Sequence, residues 1–347
     1  SSRRQRQMCI RDRINFLLKL PNWILILLSR KKQITLEHRK LHPPFQLMLS
    51  QDTLGEIDFS TLTAEQFRES YLEQSKLIPQ QPNNKVVTED HQISVGSENI
   101  LVRQYTPLDN AEIHGALVYF HGGGWVIGSV ETHNELCESL CLKLGFKIFS
   151  VDYRLSPEHK YPTPFNDCLA GYNWVVDNFA DLKVEENNIS VGGDSAGGNL
   201  AAAICLKQQE VQQHLPRAQL LIYPVTDLQF KTKSIQEDCA EGFMLTKVAM
   251  EWFAEQYLQS KDSVMDPLVS PLLASSLQGL PPAVVVTAGF DPLRDEGNAY
   301  AEELKNSDVK VFHKEYLSFI HGFATMSIIP GIDKALEEIS KEFLDIT

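Results

Sequence analysis

The chain has no CxxC pair, no HExxH, and no cluster of Cys and His at metal-ligand spacing, so a structural or catalytic metal is not expected. It has no GxxxxGK[ST] phosphate loop and no GxGxxG. It is short of positive charge: 32 Lys and Arg stand against 45 Asp and Glu, a net charge of -13 over 347 residues. Nucleic-acid binding needs a clustered basic face and is excluded on that ground. Internal repeats and low-complexity linkers are absent too. What remains is 43% hydrophobic and 22% charged, the composition of a globular protein with ample core.

Two N-terminal stretches stand apart. The first thirteen residues hold five Arg and one Asp, a net +4 that leaves -17 on the rest. They are polar and aperiodic, read as a disordered or non-native tail, and are set aside. Next comes INFLLKLPNWILILLSRK (14–31), broken by Lys19 and Pro21, whose longest apolar run is Trp23–Leu28. A membrane span needs about 20 apolar residues. No small-residue cleavage site follows, as a secretory signal requires. The stretch reads as a helix docked on the body, with no membrane contact expected. The six cysteines lack pairing patterns and fit free thiols in a reducing compartment, so a cytoplasmic location is expected.

From about residue 92 short β-rich runs alternate with helical patterns. Strands are expected near 92–95, 100–105, 116–120, 147–151, 189–193, 219–223, 283–289 and 309–316. Helices are expected near 132–144, 164–180, 196–210, 293–306 and 322–345. Several strands are continuous apolar runs, as when both faces are buried. The alternation predicts an α/β fold: a mostly parallel eight-stranded sheet with helices on both faces. Gly96-Ser97 suggests an antiparallel hairpin at one edge. Residues 14–85, with breaks at Pro43-Pro44 and Pro79–Pro82, and an insertion at about 228–270 do not fit the alternation. Together they could form a helical cap on a catalytic domain of residues 86–347.

The strongest motif is Gly193-Asp194-Ser195-Ala196-Gly197, a GxSxG between a strand and a helix. A nucleophile there stands on a tight turn, with the helix N-terminus turned toward a developing oxyanion. His121-Gly122-Gly123-Gly124-Trp125 follows the strand ALVYF. Such a loop can supply backbone donors to an oxyanion hole, joined by the N–H of Ala196. An orienting acid and a base should follow in the order Ser, Asp, His. Asp291 and His321 lie just past strands, where open α/β sheets place their sites. His313 competes as base but falls inside a strand. Asp295 and Glu296 compete as acids but lie a helical turn late and should face away.

With HGGGW, GDSAGGN at 193–199, DPLRDEG at 291–297 and HGF at 321–323, the chain resembles the hormone-sensitive-lipase family of carboxylesterases, in the α/β-hydrolase superfamily. VDYRLSPEHKYP at 151–162 is similar to the family's DYRLAPEHPFP, with Ser156 in place of Ala. The resemblance runs from about residue 90 to the C-terminus and more weakly into the N-terminal helices. It implies Ser195 as nucleophile, His321 as general base and acid, and Asp291 as its orienting acid. It implies Gly122, Gly123 and Ala196 as the oxyanion hole, and no cofactor. His121 is expected to shape the loop, Asp152, Arg154 and Glu158 to form a structural charge network, and Trp125 and Phe243 to line the pocket. The expected reaction is hydrolysis of short- to medium-chain acyl esters, with a small-molecule ester as the only required partner. An amidase or deacetylase of the arylacetamide type is the alternative. A receptor on the same fold and a true lipase are further ones. The family often pairs edge strands into dimers, and VKVFHKEY could serve.

Overall fold

A computed structural model describes residues 12–51, 58–59, 61–77, 83–108, 113 and 115–347. The basic tail lies outside these residues except for Asp12 and Arg13, as does the whole Pro79–Pro82 break. The chain opens with helical residues 12–18 (α1), α2 (Asn22–Leu28), a small hairpin of β1 (Thr35–Leu36) and β2 (Arg39–Lys40), α3 (Pro43–Ser50) and α4 (Ala64–Leu77). Pro43 and Pro44 start α3 rather than break a helix, because a first-turn N–H needs no intrahelical acceptor.

The eight expected strands form one sheet. They are β3 (Val86–Val95), β4 (Glu98–Pro107), β5 (Ala116–Phe120), β6 (Lys147–Asp152), β7 (Ile189–Asp194), β8 (Gln219–Ile222), β9 (Ala283–Phe290) and β10 (Val311–Ile320), in the order 10-9-8-7-5-6-4-3. β5 to β10 run parallel; β3 and β4 form the antiparallel edge hairpin. β5, β7, β8 and β9 are buried along their whole length, which is why their sequences do not alternate. Each fully buried Val, Leu or Ile contributes about 1.5–3 kcal/mol.

Helices α5 (Asn134–Leu144), α6 (Thr163–Asp177), α7 (Ala196–Glu210), α9 (Arg294–Asn306) and α10 (Ile332–Leu344) cover the sheet, and α8 (Lys247–Tyr257) belongs to the insertion. α7 runs under the sheet and buries nearly all of its surface with small side chains, AGGNLAAA. Several boundaries differ from expectation: β3 begins at Val86 rather than 92, and β10 runs on to Ile320 rather than ending at 316. The C-terminal helix starts at Ile332 rather than 322, because Pro330 cannot continue a helix and Gly331 takes φ 97° at the cap. Strand β8 ends at Ile222, where Tyr223 turns away with φ 37°.

The N-terminal segment is tied to the site end of the sheet. Buried Arg39 donates to the Gly289 carbonyl, two residues before Asp291, and its other amine is 3.4 Å from Asp238. The His42 N–H donates to the Ser318 carbonyl at 2.9 Å, three residues before His321. α4 and α8 pack through an aromatic cluster: Phe67 lies 5.8 Å from both Trp252 and Phe253. Arg68 pins α4 to the body, donating to the carbonyls of Val126 (2.7 Å) and Ser156 (2.6 Å) and pairing with Glu158.

Arg39→Met strands the Gly289 carbonyl and leaves the mostly buried Asp238 with Lys233 as its remaining cation. It should cost about 2 kcal/mol in urea denaturation, below the usual range for a broken buried pair because Asp238 keeps some solvent. An unchanged midpoint would show that Arg39 braces nothing.

Candidate active site

Ser195 ends the turn between β7 and α7 with φ 56° and ψ -118°, a strained conformation for a residue with a side chain. The turn closes because Gly197 presses on the neighbouring strand β5: a Cβ there would collide with the Phe120 carbonyl oxygen. The Ser195 N–H donates to Ile222 at 2.9 Å, and its carbonyl accepts from Asn199 and Val225. The side chain is thereby pushed out at the carboxyl edge of the sheet.

His321 follows β10 after a register irregularity between Tyr316 and Ile320 that re-aims the chain. Its Nε2 is 3.0 Å from Ser195 Oγ and its Nδ1 is 2.8 Å from Asp291 Oδ2. A carboxylate only accepts, so Nδ1 carries the proton and Nε2 is free to accept from the serine. Asp291 is fully buried, and its Oδ1 accepts the Leu293 N–H at 2.8 Å. The three expected residues therefore meet in one hydrogen-bonded line that can move a proton off the serine. The competitors lie elsewhere. His313 bonds Asn298 at 2.9 Å inside β10, and Asp295 accepts the Ser234 N–H and pairs with Arg294. Glu296 is buried and accepts from the N–H groups of Thr226 (2.8 Å) and Asp227 (3.2 Å).

The glycine loop brings one correction. The Gly122 N–H, expected in the oxyanion hole, donates instead to Asp194 Oδ1 at 2.9 Å. A buried carboxylate beside a peptide N–H holds it firmly, leaving no hydrogen for a substrate oxygen. Gly123 and Ala196 remain as donor positions. No acceptor among the described residues takes their N–H or that of Gly124, which sequence reasoning passed over. Gly124 lies against α8: a Cβ there would collide with the Phe253 ring.

Asp194, the second residue of the GxSxG motif, organises the loop. Its Oδ1 also accepts from Tyr119 Oη at 2.7 Å and lies 3.4 Å from His133 Nε2. Burial alone would push its carboxyl up. The His133 ring, the Tyr119 hydroxyl and the Gly122 N–H outweigh burial and hold it below the ordinary 3.8. Burial and then the Asp194 anion raise the Tyr71 phenol of α4. Tyr223 is buried 4.8 Å from the His321 ring. Neither Tyr71, Tyr223 nor His133 sits in a motif, so sequence gave no signal for them.

The other expectations divide. His121 is buried, stacks on Tyr153 at 4.2 Å, and is pushed down to about 3, mainly by burial, so it stays neutral within the loop. Trp125, expected to line the pocket, is fully buried and stacks on Tyr257 of α8 at 4.2 Å. It fastens the loop to α8 and offers substrate no surface. Phe243 is almost buried, 5.1 Å from the ring of Phe290, which precedes Asp291. Asp152, Arg154 and Glu158 do not form one network. Arg154 pairs with Asp167 and Glu98, Asp152 accepts the Val130 N–H, and Glu158 meets Arg68. All five described cysteines are free and buried. No group of metal-ligating side chains occurs among the described residues.

Comparisons with known proteins agree with the fold. Residues 117–325 match an alpha/beta hydrolase fold family. The carboxylic ester hydrolase LipN of Mycobacterium tuberculosis is 34% identical over 330 residues, covering 92% of this chain and 87% of the relative. An ethyl acetate hydrolase of Pseudomonas putida is 36% identical, covering 79% and 88%. The crystal structure of a thermostable esterase from Pseudomonas putida superposes with a TM-score of 0.82 at 32% identity, covering 87% and 96%. The chain belongs to the hormone-sensitive-lipase family of α/β-hydrolase carboxylesterases. It is a carboxylic ester hydrolase.

Glu296 generates a pH prediction. Burial raises its carboxyl well above the ordinary 4.5, against the pull of the Thr226 and Asp227 N–H groups. Between 4.5 and that raised value the folded state holds a proton the unfolded chain has lost, so stability falls as pH rises. Glu296→Gln keeps an acceptor for both N–H groups and removes the titration. Its stability relative to wild type should climb by up to about 1.4 kcal/mol per pH unit as pH rises above 4.5, until Glu296 itself ionises. A difference independent of pH would mean that Glu296 is ionised in the fold.

Proposed function

We propose that the protein hydrolyses short- to medium-chain acyl esters through an acyl-enzyme on Ser195. The observation that carries this reading is the continuous line from Ser195 Oγ through His321 to Asp291, at 3.0 and 2.8 Å. His321 Nε2 takes the serine proton as Oγ bonds to the ester carbonyl carbon. The carbonyl π electrons move onto oxygen, which takes hydrogen bonds from Ala196 and the Gly123–Gly124 stretch. Asp291 stabilises the imidazolium without taking its proton. The tetrahedral centre collapses, the C–O bond to the alcohol breaks, and His321 protonates the leaving alkoxide. Water then repeats the sequence on the acyl-enzyme: His321 takes its proton, the acid leaves, and Ser195 is reprotonated.

The acyl-length limit rests on the cap. α4 and α8 stand over the glycine loop, with Phe253 against Gly124 and an aromatic cluster behind it. Bulk fixed this close to the loop leaves little length for an acyl chain. The Pseudomonas putida relative is an ethyl acetate hydrolase, in keeping with a small ester.

Initial rates on p-nitrophenyl esters from acetate to palmitate test the reading. The optimum should fall at butyrate or hexanoate. Ser195→Ala should lose about 10³-fold or more of kcat. A palmitate optimum with a jump above the solubility limit would contradict the acyl limit. Faster cleavage of the matched anilides would favour the amidase. An inert Ser195 would favour a receptor.

A further inference from the structure

The N-terminal helices α1 and α2 are apolar on two sides. Leu18 and Leu25 face inward and are buried. Trp23 and Leu27, four apart and so on one side of α2, are 67% and 68% exposed, and Phe16 of α1 is 73% exposed. Leu17 and Leu28 add to this outward face. Around it the charge is mostly positive, with Asp12 of α1 offset by its neighbour Arg13. Residues 14–32 contain Lys19, Arg30, Lys31 and Lys32, all exposed, and no acidic residue, in a chain whose net charge is -13.

We propose that this face docks on an anionic lipid surface, with the Trp23, Leu27 and Phe16 side chains in the acyl–headgroup boundary and the four basic groups at the phosphates. The charge argument selects this occupant. In a symmetric dimer the patch would meet its own copy, placing four positive charges against four. A bilayer bearing phosphatidylglycerol supplies the opposite sign and accepts Trp and Leu. The contact is superficial. α2 has seven residues and is about 10 Å long, and no described helix is long and apolar enough to cross a membrane. It departs from the expectation of no membrane contact because sequence does not show which face of 14–31 is covered; the fold turns Leu18 and Leu25 inward and leaves Trp23 and Leu27 out. The same segment leads to His42, which braces the strand end before His321, so docking would anchor the protein close to its reactive edge.

Sedimentation of the full chain with phosphatidylcholine vesicles, with and without phosphatidylglycerol, tests this independently of ester turnover. Wild type should pellet with the anionic vesicles and release as salt rises. Trp23→Gln combined with Leu27→Gln should weaken partition at least about tenfold while p-nitrophenyl butyrate hydrolysis in solution is kept. Lys31→Gln with Lys32→Gln should weaken binding and flatten its salt dependence. Failure of wild type to bind, or binding indifferent to the Trp23 and Leu27 changes, would overturn the proposal. A dimer in sedimentation velocity that those changes dissociate, without vesicle binding, would assign the face to a second copy instead.

Discussion

The hydrogen bond from the Gly122 N–H to the Asp194 carboxylate joins the two halves of the site. Asp194 precedes Ser195 at the end of β7, and Gly122 opens the loop after β5. These strands are neighbours in the sheet, with Phe120 paired to Gly193. The sheet therefore delivers both loops to one edge, and a single buried anion locks them in register. A buried carboxylate is tolerable only with donors around it, and Tyr119 and Gly122 supply them. Without that lock the glycine loop would have to find its position against Ser195 in each turnover.

Most of the fold was legible because its signals are local. Continuous apolar runs mark strands buried on two faces, and the strand–GDSAG–helix junction marks the elbow. Ser195, Asp291 and His321 were legible for the same reason, since each stands just past a strand. What sequence missed depends on contacts across the chain. The orientation of the Gly122 N–H is decided by a carboxylate 72 positions away. The burial of Trp125 is decided by Tyr257. Arg39, from a two-residue strand, gives no motif, yet it meets the carbonyl of Gly289 across the fold.

The segments before β3 and around α8 are more than additions to a finished domain. Arg39 and His42 hold the carbonyls that precede Asp291 and His321. Phe253 and Tyr257 pack on Gly124 and Trp125. The elements above the site thus constrain the same three loops that the sheet presents. Cap and site positions are mechanically linked, and changes in one should be felt in the other.

The most direct test of the Asp194 lock is the rate at which a p-nitrophenyl phosphonate modifies Ser195, read by intact mass in wild type and in Asp194→Ala. This reaction reports nucleophile and oxyanion donors together and needs no deacylation. The account predicts a phosphonylation rate at least about tenfold lower in the variant, with far-UV circular dichroism unchanged, since loss of a single oxyanion donor costs about 10²–10³. An equal rate in a folded Asp194→Ala would show that the glycine loop holds its place without Asp194, and would contradict it.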